Sequence, residues 1–266
     1  MDSATLLGLV IAFAGILVGQ AIEGGSIVQI LQPTAALIVF GGTMGATMIG
    51  FPLATFKRAI GDLVNLFKEQ EIQPNAIIDE VVKFTNKARR EGIIALEKDA
   101  QTLTDDFFRK AIIMAVDGSE PKELRQTMEC ELQYMDERGE HSAKVLEAAG
   151  GFAPTIGIIG AVLGLIEVMQ HLDNIQEVGK GIAVAFVATI YGVGLANIIL
   201  LPAAGKLKYK HRQAMILKEM MLEGVLGILE GQNPRLIEGK LVAFLEEKYQ
   251  KLREQSSKQK KKSAAA

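Results

Sequence analysis

Four long uncharged runs divide this chain, and strongly charged segments separate them. Residues 3–22, 34–51, 148–166 and 181–205 contain no Asp, Glu, Lys or Arg. At about 1.5 Å of rise per residue, each is long enough as a helix to cross the roughly 30 Å hydrocarbon core of a bilayer. Small residues stripe these runs. Gly8, Ala12, Gly15 and Gly19 recur at three- and four-residue spacing in the first, and Gly41, Gly42, Gly45, Ala46 and Gly50 crowd the second. Gly157, Gly160 and Gly164 mark the third, and Gly181, Ala185, Ala188, Gly192 and Ala196 the fourth. Inside lipid, where apolar surface gains nothing by burial, such stripes let helix backbones approach and pack. The pattern predicts two hairpins of spanning helices. The first covers residues 1–51, with spans over about 3–22 and 34–51, and the second covers 148–205, with spans over about 148–169 and 181–204. Pro154 and Pro202 are expected to mark helix ends.

Between the hairpins, residues 52–147 are charged and keep a helical period. Pro74 and Asn75 open a helix with Ile77, Ile78, Val81, Val82 and Phe84 on one side, which Gly92 interrupts. Ser119 followed by Pro121 reads as an N-cap with proline in the first turn. Leu124, Met128, Leu132, Met135 and Leu146 carry a stripe onward to the third span. Past the fourth span, residues 206–254 read as helical too, with Gly231, Gln232, Asn233 and Pro234 ending one helix and opening a last one that carries Leu236 to Leu245. Residues 255–266, with three lysines in a row, are expected to be a disordered tail. No stretch alternates with period two, so the fold class expected is all-α: a membrane protein of four transmembrane helices, a helical insert between spans two and three, and a helical C-terminal region.

Charge sets the orientation. Residues 1–56 have no Lys or Arg, Lys57 and Arg58 follow span two, and Lys206, Lys208, Lys210 and Arg212 follow span four, whereas the two hairpin turns share only Lys180. The positive-inside rule then puts both termini and the insert in the cytoplasm. The N-terminus lacks a basic leader region, so its apolar stretch is read as retained. The formal net charge of -2 argues against nucleic-acid binding. A single cysteine, Cys130, permits no internal disulfide, which suits a reducing compartment.

Catalysis finds no support. His141, His171 and His211 are scattered, no Cys/His group has metal-ligand spacing, and Asp105 with Asp106 reads as a solvated helix start. The GGTMG cluster lacks the Gly-Lys-Ser/Thr ending of a phosphate loop. In the insert, Arg89, Arg90 and Glu97 stand out by spacing: Arg90 and Glu97 are seven apart, so an unbroken helix would present them on one face despite Gly92. Exposed ion pairs contribute only about 0–1 kcal/mol each, which suits contacts that form and break repeatedly. The spans hold almost no titratable group, and Glu167 sits near an outer end. A conducted ion would need its carboxylate from a partner chain. Thr189, in the small-residue stripe, either lines such a path or bonds back to its own helix.

Residues 185–192 (AFVATIYG) followed by Pro202 resemble the signature of flagellar motor stator A subunits, the MotA/PomA family. Residues 151–157 and 160–165 resemble its third span, residues 89–97 its cytoplasmic loop, and residues 223–225 with 233–235 its post-membrane segment. The resemblance covers nearly the whole chain in order. Gly194 departs from it, since the family usually has a larger aliphatic residue there. The resemblance implies a multi-pass protein of the bacterial inner membrane, five copies ringed around two copies of a MotB-like B subunit whose span bears the ion-accepting Asp. It implies no cofactor. Arg89, Arg90 and Glu97 would meet a FliG-like protein of the rotor, Pro154 and Pro202 would couple ion passage to movement of the loop, and Thr189 would lie beside the partner's Asp. Sodium-driven members of that family carry threonine where this chain has Ala161 and Ala188, so H+ is the expected ion: bare Na+ needs several oxygen ligands, a proton one acceptor. An energiser of the ExbB or TolQ kind is the nearest alternative, but it has three spans and lacks the first hairpin. A non-conducting membrane scaffold is the other, and the match at Thr189 and the prolines speaks against it.

Overall fold

The computed structural model describes residues 3–67, 74–245, 247 and 249–253, so the tail expected over 255–266 lies outside the described residues. All regular structure among the described residues is helical. The main helices are α1 (Ser3–Ile22), α2 (Pro33–Gly50), α3 (Leu53–Asn65), α4 (Pro74–Glu91), α5 (Asp106–Val116), α6 (Pro121–Gln170), α7 (Ile175–Leu229) and α8 (Pro234–Val242). Of these, α1, α2, α6 and α7 are long and apolar enough to cross a membrane. The chain forms two compact units, Met1–Gln70 with Gly139–Lys210, and Glu71–Arg138 with His211–Ala266. These units do not follow the linear segments, because α3 belongs with the spans while the insert and the C-terminal helices share a core.

In the first unit, α1 ends in a turn through Gly24, whose φ of +80° glycine tolerates. A capping box follows, with the Ser26 hydroxyl accepting from Val28 N and the Gln29 side chain accepting from Ser26 N. Proline at the first turn opens α2. A wide, π-type stretch at Leu37–Gly41 lies within it. Extended Phe51 ahead of Pro52 ends it, as the residue before a proline avoids helical geometry. Asn174 caps the start of α7 by accepting from Gln176 N. Both prolines expected at helix ends sit inside helices instead. Pro154 lies within α6, and Pro202 follows the π-type stretch Leu195–Leu200 of α7. A proline ring collides with the carbonyl four residues before it, here that of Ile198, and a locally wide turn makes room for it.

The second unit is a helical bundle around one apolar core. Ile78, Val81, Phe84, Leu96, Phe107, Phe108, Ile112, Leu124, Met128, Met220, Val225, Ile237 and Leu241 form its core. Phe84 and Phe108 stack with centroids 5.9 Å apart. Burying each such side chain stabilises by about 1.5–3 kcal/mol, and residues drawn from α4, α5, the start of α6, the end of α7 and α8 are what complete this core. Asp105 caps α5, accepting from Phe108 N at 3.0 Å, and Lys218 donates to the same carboxylate. Arg125 of α6 pairs with Glu223 of α7 at 2.7 Å, and this hydrogen bond holds the guanidinium above its usual pKa.

Two local expectations shift by a residue or more. Ser119 does not cap α6: its N–H bonds to Met114 O and closes α5, beside Gly118 at φ +88°, and α6 begins at Pro121. The last helix ends at Val242, so Phe244 and Leu245 lie in the turn beyond it, Leu245 still buried.

Candidate functional site

The charged corner lies in the second unit. Arg89 and Arg90 occupy the last turn of α4, where cations complement the partial negative charge of a helix C-terminus. The helix is not unbroken beyond them. Gly92 has φ +87°, and its N–H bonds back to Ala88 O, so the chain turns and continues as a single 3-10 turn over Ile93–Leu96 and an α-turn over Glu97–Ala100. Arg90 and Glu97 therefore do not share a helical face. They flank a corner instead. Leu96 is fully buried and anchors the corner in the core, while Ile94 is 71 % exposed at its tip. Arg89, Arg90 and Glu97 are all exposed, with no ion-pair partner among the described residues. Lys87 and Asp99 bracket them, paired at 2.7 Å. The hydrogen bond to Asp99 raises the Lys87 ammonium above its ordinary pKa. The corner is thus tied at its base and carries charges of both signs in solvent.

The small-residue seam lies in the first unit, where α6 and α7 run backbone against backbone. A methyl at Gly157 would stand 2.9 Å from Ala188 O, and one at Gly164 would stand 2.8 Å from Gly181 O. Gly192 meets Ala153 O as closely from the other side. Only glycine fits these crossings. Ala188 is fully buried in the seam and Ala161 is half-buried beside it. A methyl at Gly160 would fall against the Ala188 methyl and Ile38, so that level of the seam is filled. Thr189 is half-buried, its hydroxyl donating to Ala185 O at 3.3 Å. Of the two readings left open for this hydroxyl, the bond to its own helix is the one formed within a single chain. Pro154 is half-buried and Pro202 exposed. Next to Pro154, Thr155 donates to Phe152 O.

Tyr191, one residue of the run AFVATIYG, holds a contact that sequence reasoning missed. Its hydroxyl donates to Ile30 O at 2.6 Å and accepts from Gln32 N, pinning α7 to the irregular entry of α2. A lone tyrosine in an apolar run is the signal, since its hydroxyl must find a partner when buried. The Lys87–Asp99 tie was equally missed, being twelve residues apart across a turn.

A seam of glycines between helices long and apolar enough to span a membrane, with acids only at its Gly164–Gly181 end, and a separate corner of exposed charges fit a multi-pass membrane subunit of the ion-channel class. Comparison with known proteins agrees. Residues 99–220 match the model of the MotA/TolQ/ExbB proton channel family, and residues 6–92 match that of the motility protein A N-terminal region. Motility protein A of Bacillus subtilis (strain 168) is 39% identical over 246 residues, spanning 92% of this chain and 91% of that one. The structure of C. jejuni MotAB superposes with a TM-score of 0.88 at 33% identity, over 93% of this chain and 97% of that one. The flagellar MotAB stator complex from Bacillus subtilis gives 0.86 at 38%, with the same coverage. The chain belongs to the motility protein A family.

Proposed function

We infer that this chain is the stator A subunit of a bacterial flagellar motor, the part that turns ion flow into work on the rotor. The single observation that carries the reading is the division of labour within one chain: a seam with no charged group between its ends in the first unit, and an unpaired charged corner in the second. An ion path through lipid needs an acidic acceptor. The middle of the spans supplies none, Glu167 lying near one end of the third, so the carboxylate comes from a B subunit, as the MotAB complexes pair an A with a B chain. The ring is a pentamer around that partner, embedded in the inner-membrane lipid with both termini cytoplasmic.

The ion is H+. Ala188 fills its level of the seam with a methyl, and the Thr189 hydroxyl is engaged with Ala185. One hydroxyl and one partner carboxylate make a thin cage for sodium and a sufficient relay for protons. Each unit charge crossing about 100 mV releases about 2.3 kcal/mol, more than a typical exposed contact of about 0–1 kcal/mol. Ion passage can therefore break and remake the contacts of Arg89, Arg90 and Glu97 with a FliG-like rotor protein one step at a time. Pro154 and Pro202, which interrupt the backbone ladder of α6 and α7, are where the helices yield during each step. Swimming speed should persist in sodium-free buffer and collapse on addition of a protonophore. Speed that follows external sodium at constant pH would overturn the assignment of the ion.

A further inference from the structure

The first unit contains a cleft of about 410 Å³, within the range of small-molecule sites, that the motor reading leaves without a role. Its walls come from three helices: Gly8 and Ala12 of α1, Leu63 of α3, and Ile198 and Pro202 of α7. The apolar walls end at one polar edge. There Lys206 donates to the Thr5 hydroxyl, and Lys210, one helical turn further along α7, donates to Leu66 O at 3.2 Å. An apolar slot with two cations at one end matches an amphiphile with an anionic head.

The charge inventory selects the occupant. On the side of this unit that carries Lys206, the described cations are Lys57, Arg58, Lys144, Lys206, Lys208 and Lys210, against the carboxylates Asp62, Glu140 and Glu147. Those carboxylates are engaged: Asp62 with Arg58 and Ser142, Glu140 with Lys144, and Glu147 with Lys208. A spanning helix of a second copy would bring apolar surface but no acid, since the four runs are uncharged. Basic pockets between spanning helices on the cytoplasmic side recognise anionic lipid head groups.

We propose that this cleft binds one anionic phospholipid, with an acyl chain between α1, α3 and α7 and the phosphate at Lys206 and Lys210. Neither lysine need be free, because both keep their ammonium donors at the edge where the phosphate arrives. The lipid would lie against Pro202 and the wide turn at Leu195–Leu200, and so touch the segment of α7 expected to yield. The proposal rests on the stator reading only in taking α1 and α7 as membrane spans with Lys206 at their cytoplasmic end.

Native mass spectrometry of the complex extracted with its partner, titrated with phosphatidylglycerol or phosphatidylcholine, tests it. The wild type should retain phosphatidylglycerol in preference. Lys206→Gln should lower that retention about fivefold, the effect of one cation near an anionic surface, and Lys206→Arg should restore it. Ala12→Leu, which fills the slot, should lower retention of both lipids. Equal retention of the two lipids by the wild type, or retention unmoved by Lys206→Gln and Ala12→Leu, overturns the proposal. A wild type that retains no lipid points to a protein helix in the cleft and overturns it too. If Lys206→Gln does not accumulate, the head-group preference of the wild type and Ala12→Leu decide. The readout is lipid mass and not motility, so it stands or falls apart from the motor function.

Discussion

Arg89, Arg90 and Glu97 differ from the paired charges of the second unit in what holds them, and they share their exposure with neighbours such as Glu91 and Lys98. Lys87, Asp99, Lys218 and Arg125 are spent on internal pairs, whereas these three stand unpaired among the described residues on a corner tied down by Leu96. Their removal should therefore cost function and not folding. Charge reversal by Arg89→Glu or Glu97→Arg is expected to impair motility while membrane levels stay normal, with stability changed by about 1 kcal/mol for Arg89, which caps the helix dipole, and less for Glu97. Reversing the opposing rotor charge should restore part of the loss, because complementary pairing sets such interfaces. Immunoblots of membrane fractions that show the protein missing would mark these residues as structural. The three side chains were singled out by their spacing on an unbroken helix, and the corner at Gly92 that breaks that helix was not legible. A glycine inside a helical pattern is compatible with a tolerated helix interior and with a helix end, and only the φ of +87° separates the two. The Lys87–Asp99 pair raises the Lys87 pKa, so its contribution is complete below the ordinary lysine range and fades only as pH rises past the raised value.

At the scale of elements, four long apolar helices were legible because lipid disfavours charge within a span, and two of them, α1 and α2, cover Ser3–Ile22 and Pro33–Gly50. The small-residue stripes of α6 and α7 were legible as packing faces, and the seam they form is closed by backbone contacts. Gly157→Val should put atoms where Ala188 O and the Gly192 Cα already lie, with less folded complex recovered by size-exclusion chromatography in detergent. Gly205→Ala, an exposed helical site with open space around it, is the matching control and should be neutral or stabilising by about 0.5–1 kcal/mol. Recovery of Gly157→Val equal to that of the control would show that the seam does not hold α6 to α7. The prolines were misplaced for a physical reason. In water a mid-helix proline costs about 3 kcal/mol and ends most helices, but between packed spans neighbouring groups and wide turns take up the loss. The shared core of the insert and the C-terminal helices was also hidden. Gly224 against Val81 is a contact between distant parts of the chain, and helical periodicity shows which face is apolar without showing what covers it.

At the scale of the whole molecule, the account needs the hairpin turns on one side of the membrane and the charged corner on the other. Reporter fusions at Gly25 and Asp173 should behave as periplasmic, and one at Gln101 as cytoplasmic. A cytoplasmic signal at Gly25 would remove the first hairpin from the bilayer and favour a three-span arrangement. The central claim, that this chain supplies torque from ion flow, is tested most directly by following a bead on a flagellar stub in cells lacking every stator chain. The filament should be present and still. Induced expression of this chain with its B subunit should raise the rotation speed in discrete increments as units join the motor, and a protonophore should stop it. A bead that already turns before induction, or that stays still with both chains in the membrane, would contradict the claim.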